Sequence, residues 1–98
     1  MTLLWLGMTF CFSAQAVSLN ERVNAASCAA CHGTEGRASQ DSTIPALAGL
    51  GRAEMLRLMN AFKDGSRPAT VMHQIAKGLT EAQLISLADY FASVPRQP

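Results

Sequence analysis

An excess of charge of one sign is missing from this 98-residue chain: eight Lys and Arg stand against seven Asp and Glu, a formal net charge of +1. A nucleic-acid groove or a polybasic membrane patch needs clustered cations, so no nucleic-acid partner is expected. Cysteines number only three, too few for the disulfide framework that staples many small domains. Aromatic residues are scarce at 6%. Apolar residues reach 49%, but alanine supplies many of them. No internal repeat and no strand-like alternation is present. Roughly 100 to 200 residues make one domain, so there is room for a single small unit and none for a two-domain enzyme. Such an alanine-rich chain has too little side-chain volume for a core of its own and needs a staple or a buried prosthetic mass.

The long apolar run lies at the N-terminus. Leu3 to Phe12 has the length of a signal-peptide h-region, and Ala14-Gln15-Ala16 fits a small-x-small cleavage site, although the n-region lacks Lys and Arg. Residues 1–16 are therefore read as a signal peptide cleaved after Ala16, and 17–98 as the mature domain, exported to the periplasm. A membrane anchor is the competing reading, but Leu3 to Val17 falls short of the roughly 20 residues needed to cross a bilayer. Phe10 before Cys11 is too bulky for lipoprotein processing. No membrane association is expected after cleavage, and Cys28 and Cys31 remain as the cysteines of the exported chain.

The rest reads as helices joined by loops. Ser18-Leu19-Asn20-Glu21 has the form of a capping box, and Leu19, Val23, Ala26 and Ala30 follow at i, i+4, i+7 and i+11, predicting a helix to about Cys31 with that stripe facing the core. Gly33 to Thr43 is a polar loop, and Ile44 must be extended before Pro45. A second helix is predicted from Ala53 to Lys63, with Met55, Met59 and Phe62 on one face. Ser66 to Val71, containing Pro68, is loop, and His73 to Lys77 a short helix. Thr80-Glu81-Ala82-Gln83 is a second capping box opening a last helix, where Leu84, Leu87, Ala88 and Phe91 align until Pro95. Leu87 and Phe91 are expected to pack on Val23 and Ala26.

The chemistry lies at the end of the first helix, where Cys28-Ala29-Ala30-Cys31-His32 has the c-type haem attachment spacing. Two thiols three residues apart project from one side of a turn, so each can form a thioether with one vinyl group of a haem. His32, next in line, becomes the proximal iron ligand. One covalent haem c would supply the missing core mass. A thioredoxin-like pair would need a βαβ setting, and a zinc site four ligands at shorter spacing. A disulfide across so short a loop would stabilise little. Haem attachment also accords with export, since haem is joined to such thiols after translocation.

For the other face of the iron the sequence offers Met72, in a loop before a short helix, with His73 as the alternative and an open position as a third. A Met/His pair raises the reduction potential relative to His/His. Met55 and Met59, four apart on a helix, suit the core better. The Pro45 carbonyl is a natural acceptor for the second ring nitrogen of His32, with a plain turn as the competing role.

From Cys28 to Phe91 the chain resembles class I c-type cytochromes, through CAACHG, the loop IPALAGL and the helix LADYF. The stretch FKDGSRPATVMHQIAKGLTEAQLISLADYF resembles more narrowly the cytochrome subunits of flavocytochrome c sulfide dehydrogenases. The resemblance implies an all-α, small class I cytochrome c fold, with helices and loops wrapped around one covalently bound haem. It makes Cys28 and Cys31 the attachment residues, His32 and Met72 the iron ligands, and Pro45 the support of His32. It further implies an FAD-containing sulfide dehydrogenase subunit as partner, with the FAD on that subunit, and a soluble electron acceptor. The single attachment motif departs from the dihaem versions of that subunit. An iron with both axial positions filled has no place for a substrate, so the reading is an electron carrier and no enzyme. A free-standing shuttle between a dehydrogenase and an oxidase is the first alternative. A haem enzyme or gas sensor with a dissociable Met72 is the second. The small, largely uncharged residues Ala29, Ala30, Ala69, Thr70 and Val71 are expected to rim the haem edge.

Overall fold

The computed structural model describes residues 2, 4, 6–9 and 19–96. The proposed cleavage site at Ala14 to Ala16, Cys11, and the capping residue Ser18 lie outside the described residues. Among the described residues five α-helices follow in order, α1 (Leu19–Ala26), α2 (Ala29–His32), α3 (Arg52–Asp64), α4 (Met72–Lys77) and α5 (Glu81–Ser93), with a 3-10 turn over Thr34–Gly36. Among the described residues there is no strand, and no helix is long and apolar enough to cross a membrane.

The first predicted helix is two helices. A turn at Ser27 and Cys28 separates α1 from α2, and there the Ser27 hydroxyl donates to the Asn24 carbonyl at 2.8 Å. Such local side-chain bonds compete with the helical ladder. The 28-to-32 register is then re-established by the His32 amide donating to the Cys28 carbonyl at 2.9 Å. α5 begins as its sequence predicts: the Gln83 amide donates to Thr80 Oγ1 at 3.2 Å, and the Thr80 amide to Gln83 Oε1 at 2.9 Å. Two orphan donors of the first turn are thereby satisfied.

α5 is the axle of the core. Leu84, Leu87, Ala88 and Phe91 are all buried, and Phe91 has no exposed surface. α1 packs on one side of α5, and α3 packs on both α5 and α4. Met55 and Met59 of α3, Ala76 of α4 and Ala25 of α1 complete the cluster.

The face that α1 turns inward is not the one its apolar stripe suggests. Leu19 is 77% and Val23 61% exposed, and Ala26 and Ala30 are exposed too. Ala25 is the buried residue, with Cys28 half-buried beside the core. A methyl group lets α1 approach α5 closely, whereas Leu19 or Val23 on that face would hold the backbones apart. The expected contact of Leu87 and Phe91 with Val23 and Ala26 is therefore replaced by packing through Ala25.

The loop after α2 is tied to the same axle at Gly36. Its carbonyl accepts from the Leu47 and Ala48 amides at 2.7 and 3.2 Å, which fixes the loop that carries Pro45. Gly36 has φ +72°, and a Cβ there would meet Phe91 Cε1 at 2.7 Å and Leu47 Cβ at 2.9 Å. Glycine is required both by the backbone conformation and by the ring lying against it.

Candidate functional site

α2, the 43–47 loop, α3, the 67–72 loop and α4 surround one cavity of about 630 Å³. That size lies within the roughly 300–1,000 Å³ of small-molecule and cofactor sites. Its wall brings together Cys28, Cys31 and His32 from the α1–α2 segment, Pro45 from the loop, and Met72 from the start of α4. Met55, Met59 and Phe62 form the α3 side, and Leu87 comes from α5.

His32 is buried, with 8% of its surface exposed. Its Nδ1 lies 2.7 Å from the Pro45 carbonyl oxygen, which can only accept, so Nδ1 carries the proton and donates. In the neutral ring this leaves the lone pair on Nε2. The bond joins the last residue of α2 to a loop 13 residues on, and the Gly36 carbonyl holds that loop in place. Pro45 fixes its own φ, so its carbonyl is presented by a stiff turn.

The two thiols sit in different surroundings. Cys28 is half-buried against the core and Cys31 is exposed, and both are unpaired. Burial pushes the Cys28 thiol above its ordinary pKa, and a hydrogen bond with Ser27 offsets part of that rise. Among the described residues, no group of three or more His, Cys, Asp or Glu is placed to hold a bare metal ion. What the donor set fits is a planar group needing one imidazole, a thioether and two thiols in an apolar bed.

His73 does not line the cavity, and its Nδ1 is buried without a partner. The rim carries Ala69, Thr70 and Val71, with Val71 53% exposed. Ala30 is exposed but forms no part of the wall, and neither does Ala29. Sequence reasoning missed several wall residues, among them Leu47, Leu50, Leu58 and Leu79. It also missed Arg67, whose guanidinium lies 5.5 Å from the centroid of the Phe62 ring at the cavity edge. These positions sit in loops or off the main helical stripes, where periodicity gives no signal.

Comparison with known proteins gives a consistent picture. Residues 15–91 match the family described as cytochrome c oxidase, cbb3-type, subunit III. The chain is 39% identical over 71 residues to the cytochrome subunit of sulfide dehydrogenase from Chlorobaculum tepidum, covering 72% of this chain and 63% of that protein. It is 37% identical over 91 residues to cytochrome c4 from Pseudomonas aeruginosa, covering 93% of this chain and 45% of that one. It is also 40% identical over 70 residues to the thiosulfate dehydrogenase electron acceptor of Thiomonas intermedia, covering 71% and 32%. The chain thus spans between about a third and two thirds of the length of these relatives.

Proposed function

Because this chain belongs to the class I c-type cytochromes, an electron-transfer family whose members carry covalent haem, we propose that it is a periplasmic monohaem carrier taking electrons from an FAD-containing sulfide dehydrogenase subunit. The observation that carries the reading is the apolar cavity that gathers Cys28, Cys31, His32 and Met72. In this assignment Cys28 and Cys31 hold the haem through thioethers. His32, oriented by the Pro45 carbonyl, and Met72 would be the residues that hold the iron, through Nε2 and the thioether sulfur. Haem bound there contributes a one-electron ferric–ferrous couple.

The chain's own residues do the rest. Met55, Met59, Phe62 and Leu87 exclude water, which favours a raised potential. The short hydrogen bond to Pro45 fixes the orientation of the His32 ring. With His32 and Met72 both engaged, a haem held there would have no position for a substrate, and the chain would pass electrons without chemistry of its own.

The flavoprotein partner is supported by the similarity to the Chlorobaculum sulfide dehydrogenase subunit. Signal cleavage after Ala16 and residence in the periplasm are supported by the attachment motif, since haem is joined to it after export. A free-standing shuttle is the second reading, supported by the similarity to cytochrome c4 and to a thiosulfate dehydrogenase electron acceptor.

Three measurements test the proposal on protein produced with a haem-attachment system. The mass of the mature chain should show one covalent haem, lost in Cys31→Ser. The ferrous protein should resist carbon monoxide at neutral pH, whereas Met72→Ala should bind it rapidly. Rapid binding by the unaltered protein would replace the carrier reading with a gas-binding one. Co-purification with an FAD protein, against its absence, separates the subunit from the shuttle.

A further inference from the structure

A second pocket, of about 300 Å³, adjoins the first: Ala46 and Leu50 line both, and Arg37, Ala48 and Arg96 complete it. Two guanidinium groups, those of Arg37 and Arg96, border this hollow, and no carboxylate is among its lining residues. Arg37 meets Glu35 at 3.2 Å through one terminal nitrogen, but its Nε is buried without a partner. Arg96 reaches back across the loop, its Nε donating to the Gly49 carbonyl at 3.3 Å. Gly49 makes that reach possible: its φ is +74°, and a Cβ there would stand 2.2 Å from Arg96 Cγ. The absent side chain leaves room for the arginine, and the segment past the end of α5 is brought beside Ala46 and Leu50, which also line the larger cavity.

A buried, unpartnered Nε is costly unless something else satisfies it, and two cations facing one hollow repel until an anion lies between them. Arginine's planar fork suits a carboxylate in two-point contact. We propose that Arg37 and Arg96 form an oxoanion clamp and that in the haem-loaded protein its occupant is one of the two carboxylates of the haem. The inference rests on the assignment of haem to the adjoining cavity. It gives the pair a role beyond attachment: two cations neutralise a negative charge close to the iron, favour the ferrous state, and tie the chain segment after α5 to the cofactor.

The test is potentiometric titration of haem-loaded protein, with covalent haem first verified by mass. In R37Q/R96Q the ferric–ferrous equilibrium should move about tenfold toward ferric, equivalent to about 59 mV for one electron. R37K/R96K, which keeps the charges and loses the forks, should recover at least half of that shift. R57Q, which removes a guanidinium paired with Glu54 on α3 away from both pockets, should leave the potential unchanged. Coincident potentials in the wild type and R37Q/R96Q would overturn the clamp. If R37Q/R96Q carries no haem, the single variants serve, and unchanged potentials in both R37Q and R96Q overturn it equally. Calorimetric titration with inorganic phosphate separates the two sources of anion. No binding to the haem-loaded wild type is expected, and binding that R37Q/R96Q abolishes would give the pocket to a free anion and overturn the haem assignment. A wild-type chain that never acquires haem would instead fail at the mass measurement, which overturns the proposed function and this inference with it.

Discussion

Replacing Phe91 by alanine is the sharpest test of how the core is built. Phe91 has no exposed surface, its ring stands edge-on to Tyr90 with centroids 5.0 Å apart at 79°, and it lies against the bare Cα of Gly36. A buried aromatic removes about 150–250 Å² from water, which at about 25 cal/mol/Å² is roughly 4–6 kcal/mol. Alanine keeps a small part of that burial, and a compact unfolded chain reduces the difference further. The lost edge-to-face contact adds about 0.5–1.5 kcal/mol in the other direction. The expected loss is therefore about 3–5 kcal/mol, the usual range for Phe→Ala in a core. Guanidinium unfolding of the haem-loaded chain, followed by far-UV circular dichroism, would read it as a midpoint lowered by about 1 M or more at an m-value of about 3–4 kcal/mol/M. Val23→Ala is the matched control: at 61% exposure it should cost no more than about 0.5 kcal/mol. A Phe91→Ala loss below about 1 kcal/mol would place Phe91 outside the core, and a Val23→Ala loss of about 1 kcal/mol or more would refute the assignment of Ala25 as the inward residue of α1.

Gly36→Ala should destabilise by about 2–4 kcal/mol through its left-handed backbone and its collision with the Phe91 ring. In a Phe91→Leu background the penalty should fall by more than about 0.5 kcal/mol, and strict additivity in the cycle would rule out the contact. Thr80→Ala removes the acceptor for the Gln83 amide and should cost about 1 kcal/mol; an effect near zero would mean that the capping box contributes nothing. The haem-free chain is expected to be largely unfolded, so iodoacetamide should label Cys28 and Cys31 at equal rates even though burial raises the Cys28 thiol in the folded chain. A marked lag at Cys28 would show that the fold persists without haem.

Where the sequence pattern matched the structure, one local cause governed the outcome. The capping box at Thr80 and the stripe Leu84, Leu87, Ala88, Phe91 specify both the start and the buried face of α5, because that helix is central and every large side chain on it has somewhere to go. α1 broke the same rule. Its larger apolar residues, Leu19 and Val23, mark the outer face, and the inner face is set by the need for a small residue where it meets α5. Hydrophobic periodicity measures side-chain size, whereas helix approach depends on its absence. An alanine-rich helix packed on a helix with large buried residues is thus the case in which the pattern misleads. The interruption at Ser27 has the same local character, since a hydroxyl three residues after a carbonyl can bond it in or out of a helix and only the packed structure decides which.

The site divides along a similar line. Cys28, Cys31 and His32 are adjacent, so their chemistry can be read from spacing, and Met72 and Pro45 could be named because each residue type has few roles in such a setting. The structure brings all five to one cavity. Arg37 and Arg96 could not have been paired in this way, for they are 59 positions apart and neither stands in a motif. What joins them is Gly49, whose missing side chain leaves the space that Arg96 crosses, and a glycine in a loop reads as a turn whether or not another residue needs its room. The legible part of the site is therefore the part whose covalent chemistry demands a fixed spacing. The part that adjusts electrostatics around it is set by long-range packing, and it becomes visible only when the buried Nε of Arg37 is found without a partner.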